Sequence, residues 1–357
     1  MSRLREDLNM KKMQRAIAVL ATSLMMTAPV LAGNPDRAGA AGATQLLINP
    51  WARSSGWSLA NTADLQGVEA MFGNIAGLSR VRKTELVFTN TRWLEGSGVG
   101  INSFGFGQKI GSGVIGISAT VLSFGDLPVT TVDLPEGGQG TFRPNLANIG
   151  IAYSKEFSNS IYGGLLVRVI SESIANIRSQ GVAFDAGIHY VTGPQDNVHF
   201  GIALKNVGPP MAFEGDGMSV QGLLVTGSDQ LTLEQRSERF ELPSLLNIGA
   251  SYDFHFTEVH RMTLAANFTS NSFTRDQIAV GVEYAFKKMF HIRGGYLWED
   301  GVTNEDERAT VFTGPSGGIS VDLPFGNEKQ SAFAIDYGYR ATNPFSGVHS
   351  IGLSISL

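Results

Sequence analysis

The 357-residue sequence contains no cysteine, which excludes disulfide frameworks, thiol nucleophiles and zinc sites built from thiolates. It also lacks a basic excess: 27 lysines and arginines stand against 32 aspartates and glutamates, so no nucleic-acid partner is expected. Beyond residue 32, no apolar run reaches the length of about 18 residues that a membrane-spanning helix needs. If the mature chain crosses a membrane, it must do so as a closed β-barrel, which also pairs its backbone groups internally.

Residues 1–32 have the features of a secretory signal peptide. Basic residues at positions 11, 12 and 15 precede an apolar run from Ala16 to Ala28, and Ala32 ends a small-residue cleavage site. Residues 1–9 are interpreted as an extension upstream of the signal. The mature chain is therefore expected to begin near Gly33 and to be exported.

From Thr84 onward, apolar residues alternate with small or polar residues at a period of two. Residues 280–286 place Val, Val, Tyr and Phe on one face and Gly, Glu and Ala on the other. A soluble sheet would expose Lys, Glu and Thr on its polar face, whereas here that face is mostly Gly, Ala, Ser and Asn. Because successive side chains of a strand point to opposite faces, the pattern predicts an outer-membrane barrel with an apolar outer face and a small-residue lumen.

The charged residues of the alternating segments fall on the small-residue parity. Charges of both signs that face inward can pair across the lumen, whereas a charge facing lipid at the membrane midplane costs roughly 2–4 kcal/mol. We interpret the set as a structural network of ion pairs that supports the wall; a path for protons or solutes is the alternative. The predicted lumen charges are Arg168, Asp185, Lys205, Glu283, Arg293, Asp322, Asp336 and Arg340.

About fourteen alternating segments predict an all-β fold, a transmembrane antiparallel β-barrel over residues 84–357. Their centres lie near Val87, Ile101, Ile115, Ile149, Leu165, Phe184, Ile202, Ile248, Leu264, Val280, Ile292, Ile319, Ile335 and Leu353. Short turns follow the even segments and longer connections tend to follow the odd ones, as in barrels with short periplasmic turns and long external loops. An even strand number places both termini in the periplasm. Twelve or sixteen strands are alternatives, because the segments near Ile177 and Leu223 are ambiguous.

Residues 33–83 do not alternate, and they contain large apolar residues such as Leu46, Trp51, Trp57 and Phe72. A segment with this apolar content is expected to be buried rather than to hang in the periplasm. We therefore predict that it forms a plug or hatch within the lumen. A short helix over residues 60–72 is predicted inside it.

The segment from Ala41 to Leu78 resembles the opening of the PorV/PorQ family, which reads as a Gly/Ala stretch, Leu-x-Ile, Ala-Arg and finally Asn-Pro-Ala-Gly-Leu. The positions that match this hatch motif are Ala52, Arg53, Asn74, Ala76, Gly77 and Leu78. Further matching blocks begin at Asn206, Leu242, Gly281 and Ile292, so the resemblance spans essentially the mature chain.

The resemblance implies a FadL-like barrel, integral to the outer membrane of Bacteroidota and in contact with its lipids. It further implies a non-enzymatic role in type IX protein secretion, in which external loops bind the translocon barrel and cargo proteins with a C-terminal secretion domain. The candidate contact loop runs between residues 206 and 242. Its apolar residues, expected to be exposed, are Met211, Phe213, Leu223 and Leu224.

The alternative function is a FadL-like channel for the uptake of hydrophobic small molecules. Such a channel would use an apolar pocket under the loops and a hatch around residues 74–78 that shifts to open a path. In this case the partner is a hydrophobic small ligand rather than a protein.

The sequence contains no convincing catalytic, cofactor or metal site. Residues 314–318 fit G-x-S-x-G, but they begin a predicted strand, whereas a nucleophile elbow requires a strand–turn–helix context. His255 and His260 flank Glu258 in a predicted short turn, with a spacing that differs from the H-E-x-x-H of zinc proteases. We therefore expect a protein that is not an enzyme and needs no cofactor.

Overall fold

The computed structural model describes residues 33–223, 230–326 and 331–357, and these residues form one closed antiparallel barrel of fourteen strands. The strands are β1 Thr84–Trp93, β2 Val99–Ile110, β3 Gly113–Ser123, β4 Asn145–Ser158, β5 Ile161–Ile174, β6 Ile177–Thr192, β7 Val198–Val207, β8 Leu245–Thr257, β9 His260–Asn271, β10 Gln277–Phe286, β11 Phe290–Glu299, β12 Phe312–Phe325, β13 Ser331–Thr342 and β14 Val348–Ser356. Each strand pairs with its neighbours in sequence, and β1 pairs with β14 to close the barrel. The predicted fold is confirmed, and every predicted centre lies inside its strand.

Two predicted features fall outside the described residues: the signal peptide at residues 1–32 and Leu224 of the contact loop. Among the residues that are described, no helix is long and apolar enough to cross a membrane.

The period-two pattern places apolar side chains on the outside of the barrel. Ile151 is 60% exposed and Leu165 is 66% exposed, whereas their chain neighbours Ala152 and Leu166 are buried. Soluble monomers rarely expose apolar patches of more than a few hundred Å². The outer face is therefore suited to contact with lipid.

The connections differ in length between the two ends of the barrel. One end, here called the short-turn end, has tight turns such as residues 111–112 and 159–160. The other, the long-loop end, carries residues 124–144, 208–244 and 300–311, although the turn at 175–176 is also tight. The backbone N–H of Thr84 donates to the carbonyl of Leu357 at 3.4 Å, so β1 begins where β14 ends, at the short-turn end.

Residues 33–83 are called the plug from here on. They begin at the long-loop rim, where Gly33 and Arg37 contact Asp276 and Glu241, and from Ala43 onward they lie largely inside the barrel and contact strands on opposite sides of the lumen. They contain one short helix, α1 (Ala52–Ser55), and 3-10 turns that include Val68–Met71 and Ile75–Arg80. The predicted helix over residues 60–72 is wrong. Gly67, with a φ of +74°, interrupts this stretch with a left-handed backbone that a helix does not accept.

Glycines on the inner wall allow the plug to approach the strands closely. A Cβ atom at Gly187 would lie 2.1 Å from Oδ1 of Asn74, and one at Gly338 would lie 2.3 Å from the carbonyl oxygen of Ala52. Gly105, Gly201, Gly281 and Gly295 face plug atoms at similarly short distances. The high glycine content is thus partly explained by the space that the plug needs.

Pairing between β11 and β12 stops before the long-loop rim. The last paired residues are Tyr296 and Pro315, and within the described chain residues 297–299 have no β12 partner. Proline has no N–H to donate to a ladder. The register of β12 against β13 also shifts between Phe312 and Ser316. At this point the ladder of the wall is discontinuous.

Replacing Gly187 by valine should displace Asn74 and loosen the plug while the barrel still forms. Overpacking of this kind costs typically about 1–3 kcal/mol. Limited proteolysis in detergent, read by mass spectrometry, should then show cleavage within the largely buried residues 43–83 of the variant only. Gly294→Ala is the control, because no atom lies within 4 Å of a Cβ at that glycine. Protection of Gly187→Val equal to that of the wild type would contradict the close fit.

Candidate functional site

Arg53 anchors the plug to one side of the wall. Its Nε donates to Oδ1 of Asp336 on β13 at 2.9 Å, and its Nη2 donates to Oδ1 of Asp322 on β12 at 2.6 Å. The neighbouring residue Ala52 lies against Gly338, so α1 holds Arg53 directly over these two carboxylates. Because Asp336 is buried, its charge requires this partner.

Asn74 anchors the plug to the opposite side. Its Oδ1 accepts from the backbone N–H of Ala76 at 3.2 Å, which caps the 3-10 turn, and its Nδ2 donates to the carbonyl of Ile188 on β6 at 3.1 Å. The carbonyl of Ala76 accepts from Oγ of Ser154 on β4 at 3.0 Å. Gly77 approaches the backbone of Leu65, where a Cβ would lie 1.8 Å from the carbonyl oxygen.

Five of the six positions of the predicted hatch motif therefore belong to two contacts between plug and wall, whereas Gly77 packs within the plug. Ala52 and Arg53 contact β12–β14, while Asn74, Ala76 and the fully buried Leu78 contact β3–β6. That these residues move as a hatch stays a prediction.

The inner wall of the short-turn half carries a connected set of ion pairs, here called the ionic belt. Its members are Asp253, Arg261, Glu283, His291, Arg293, Asp322 and Asp336. The carboxylate of Glu283 accepts from Nε of Arg293 at 2.6 Å and from Nη2 of Arg261 at 2.7 Å. His291 lies between Glu283 and Asp322, with its ring nitrogens 3.4 and 3.2 Å from their oxygens.

All of the predicted lumen charges lie on the inner face, but they separate into three groups. Glu283, Arg293, Asp322 and Asp336 belong to the ionic belt. Arg168 and Asp185 form a buried pair of their own at 2.9 Å. Lys205 and Arg340 belong to neither.

Sequence reasoning missed three members of the belt: Asp253, Arg261 and His291. Each is two residues from another inward-facing residue of its strand, so the alternation in the sequence was enough to predict that it faces the lumen. Arg261 and Thr263 share a face of β9, and His291 and Arg293 share a face of β11.

The buried pair of Arg168 and Asp185 also contacts the plug and shapes β7. Nη2 of Arg168 donates to the carbonyl of Met71 at 3.1 Å. Oδ1 of Asp185 accepts from the backbone N–H of Asn206 at 2.7 Å, at a bulge where Asn206 has a φ of +59°. Lys205, next to the bulge, is buried in the lumen.

A cavity of about 230 Å³ lies between the plug and the long-loop end. The cavity lies near the long-loop ends of β7, β8 and β9, where Lys205, Leu245 and Asn271 line it. Its apolar lining comes from Leu47, Leu59, Leu65 and Phe72 of the plug and from Leu245, Leu297 and Phe312 of the wall. An apolar cavity of about 150 Å³ is enough to hold benzene, so this one has room for a small hydrophobic molecule.

Two buried cations border the cavity without a carboxylate partner. Nζ of Lys205 lies 3.7 Å from the ring centre of Phe72, and Cζ of Arg340 lies 3.6 Å from that of Phe312. Neither forms an ion pair with any carboxylate in the described ranges. A ring face contributes about 0.5–2 kcal/mol to such a cation, and buried charges are usually paired. Among the described residues that line the cavity, Glu299 is the one carboxylate, and its Oε2 accepts from Nε2 of Gln277 at 2.7 Å. The two cations therefore leave the wall with an excess of positive charge, which favours an anion.

A second cavity, of about 100 Å³, lies at the short-turn end and is polar. Arg53, Glu69, Glu85, Asp322 and Asp336 line it. Glu69 accepts from Oγ of Ser54 at 2.7 Å, and burial raises the pKa of its carboxyl to about 6. The lumen thus has an apolar cavity at one end and an acidic one at the other.

The predicted contact loop is partly folded back onto the barrel. Met211 was expected to be exposed, but it is only 2% exposed and packs against Leu46 of the plug and Ile170 of β5. Phe213 is half-buried and packs on Phe240, with ring centres 5.5 Å apart. Leu223 ends a strand, Ser219–Leu223, that pairs with Gln230–Glu234. The reason for the error is that an apolar residue in a long loop also packs well on an apolar plug.

The G-x-S-x-G segment has no catalytic geometry. Oγ of Ser316 donates to the carbonyl of Gly56 at 3.1 Å and accepts from Oγ of Ser58 at 2.7 Å. These bonds fasten the plug to β12, so the serine has a structural contact.

Comparison with known proteins supports the fold. The toluene transporter TodX of Pseudomonas putida is similar with a TM-score of 0.53 at 12% identity, over 86% of this chain and 97% of that one. The CymD monoaromatic hydrocarbon channel is similar with a TM-score of 0.50 at 11% identity, over 86% and 96%. At such identities the likeness establishes the barrel fold alone. Both neighbours are named as transport proteins.

No family model matches the chain, and no curated protein matches it. The resemblance to PorV/PorQ proteins, and the type IX role that it implies, therefore stay predictions.

Replacing Arg53 by methionine should weaken the docking of the plug, because Asp336 then keeps a buried charge without its partner. Loss of one partner of a fully buried pair costs about 3–5 kcal/mol. Arg53 is 32% exposed, so we expect about 1–3 kcal/mol. Protease cleavage within the plug at increasing urea concentration measures this change.

Arg92→Met is the control. The side chain of Arg92 is 74% exposed on the outer face of the barrel, and its Nη1 lies 3.6 Å from Oε1 of Glu95. It should change the docking energy by less than about 0.5 kcal/mol. Equal effects of the two substitutions would contradict the anchoring role of Arg53.

Proposed function

We propose that the protein is an outer-membrane channel for small hydrophobic molecules that carry an acidic group such as a carboxylate. The observation that carries this proposal is the apolar cavity with Lys205 and Arg340 in its wall. An apolar tail would lie against Leu59, Leu245 and Leu297, and an anionic head would neutralise the two buried cations. The barrel fold shared with the toluene transporter TodX and the hydrocarbon channel CymD supports transport of an apolar molecule.

The proposal also covers where the protein lies in the cell and which part of the chain has which role. Residues 1–32 direct export, residues 33–83 form the plug, and residues 84–357 form a barrel integral to the outer membrane. The apolar outer face supports contact with lipid. The difference in connection length supports periplasmic short turns, and with them a periplasmic C-terminus. The plug begins at the opposite, long-loop end, where the N–H of Gly33 donates to Oδ2 of Asp276, so only the C-terminus is proposed to be periplasmic.

Passage out of the cavity requires some contact to open. Toward the short-turn end, the ionic belt and the anchors at Arg53 and Asn74 obstruct the lumen. An apolar molecule makes no favourable contact with paired charges that would compensate for separating them. Sideways, the wall between Leu297 and Phe312 lacks ladder pairs within the described chain, so it can part without breaking backbone hydrogen bonds. We therefore favour an exit between β11 and β12 over a shift of the hatch at residues 74–78.

The type IX role is the second candidate. Val220 and Leu233 on the loop hairpin remain 49% and 53% exposed, so this loop still offers apolar contacts to a protein partner. Purification of the tagged protein from native outer membranes in mild detergent separates the two functions. Co-purification of a large translocon barrel, or of cargo sharing a C-terminal domain, would favour secretion, whereas recovery with bound lipid or acid would favour the channel.

Substitution of Lys205 and Arg340 together by methionine should weaken binding of decanoate by at least about tenfold, which corresponds to 1.4 kcal/mol. Binding of toluene, which has no charge to pair, should change by less than about twofold. Titration of the protein in lipid nanodiscs measures both affinities.

The control is Arg178→Met, which removes an arginine whose side chain is 69% exposed at the long-loop end. It should leave both affinities unchanged. Decanoate binding that survives in the double variant, or a wild-type protein that binds neither compound, would contradict the proposal.

A further inference from the structure

Three side chains that could bind a metal ion meet between the plug and the wall, in the short-turn half. Asp64 comes from the plug, His199 from the start of β7, and Asp253 from β8. One nitrogen or oxygen atom of each lies within 4.8 Å of those of the other two. Nε2 of His199 lies 3.5 Å from Oδ2 of Asp253.

Two buried atoms in this place have no hydrogen-bond partner among the described residues: Nε2 of His199 and Oγ of Ser251. Ser251 lies directly opposite His199 in the pairing of β8 with β7. The side chains of His199 and Asp253 are only 7% and 8% exposed. Since buried polar atoms are nearly always hydrogen-bonded, an imidazole nitrogen that has no hydrogen bond in the described chain, and only a long 3.5 Å contact with the Asp253 carboxylate, points to a ligand.

The carboxylate of Asp253 also has neighbours outside the three side chains. Oδ1 of Asp253 accepts from Oγ1 of Thr263, so only Oδ2 faces His199. Nη1 of Arg261 is 3.5 Å from Asp253, but the shorter pair of Arg261 is with Glu283 at 2.7 Å. The guanidinium can therefore remain on Glu283 when another cation binds to Asp253.

We propose that Asp64, His199 and Asp253 bind a divalent transition-metal ion of the zinc class, which clamps the plug to the wall. One imidazole nitrogen and two carboxylate oxygens suit zinc, with water in the fourth position, whereas calcium and magnesium prefer oxygen ligands alone. Bonds of 2.0–2.2 Å to a tetrahedral ion place ligand atoms about 3.5 Å apart. His199 and Asp253 already have this separation, and an oxygen of Asp64 lies within 4.8 Å of both ligand atoms.

The ion would act as a further anchor of the plug, beside those at Arg53 and Asn74. Asp64 is its only ligand from the plug, whereas the other two ligands belong to adjacent strands. Binding of the ion therefore stabilises the docked plug whatever molecule the cavity at the other end accepts.

The first test is calorimetric titration of the EDTA-treated protein in detergent with zinc chloride. We expect one ion per chain. Loss of outer-shell contacts alone typically lowers metal affinity 10- to 100-fold, so Asp64→Asn and His199→Gln, which remove ligands, should each lower it by at least about 100-fold. Altered migration of the unheated protein on a denaturing gel shows that each variant still folds as a barrel.

His189→Gln is the matched control. His189 is also a buried histidine that faces the plug, and its Nε2 lies 2.7 Å from the carbonyl of Thr62, but it is not a ligand. This variant should keep stoichiometric zinc binding. A wild type that binds no zinc, or a control that loses zinc as His199→Gln does, would overturn the assignment.

A second measurement concerns the ion itself and the plug. X-ray absorption of the zinc-loaded protein should show one imidazole and oxygen ligands at about 2.0–2.2 Å. Zinc should also slow proteolysis within residues 33–83 of the wild type and have no such effect on Asp64→Asn. A spectrum without imidazole, or protection that persists in Asp64→Asn, would contradict the clamp.

Discussion

The close approach of the plug to the inner wall is the contact on which the other features depend. At the points of contact the strands need inward positions without a side chain. Glycines such as Gly187 and Gly338 meet that need, since a Cβ atom there would overlap plug atoms. The charged side chains of the wall occupy other inward-facing positions of the same strands. The plug therefore meets bare backbone at some points and carboxylates at others, and Asn74 and Arg53 each match the surface that they face.

The position of the plug explains why inward charges differ in their partners. In the short-turn half the strands and plug lie close together, so the charges of the ionic belt find partners on adjacent strands or on Arg53. In the long-loop half the plug leaves a cavity, and Lys205 and Arg340 lie beside the rings of Phe72 and Phe312 without an ion-pair partner in the described part of the chain. One sequence pattern thus produces a structural network in one half and an anion-attracting pocket in the other.

The strands were predictable because their signal is local. Each needs only a few alternating residues, and the fourteen predicted centres all fall inside strands. The conformation of the plug was harder to predict, because contacts with the wall determine it more than local helix propensity does. Residues 60–72 have an apolar content compatible with a helix but form turns around Gly67. Met211 shows the same limit, since its burial depends on Leu46, which is distant in sequence.

The sequence by itself determined the barrel, its parity and the set of residues that face the lumen, because a period of two is read from neighbouring residues. Only the tertiary structure decided which of those residues meet. Asp64, His199 and Asp253 come from three separate parts of the chain, and nothing in their local sequence marks them as a group. The open space beside Lys205 and Arg340 depends likewise on where the plug ends, a long-range packing outcome that no local pattern records.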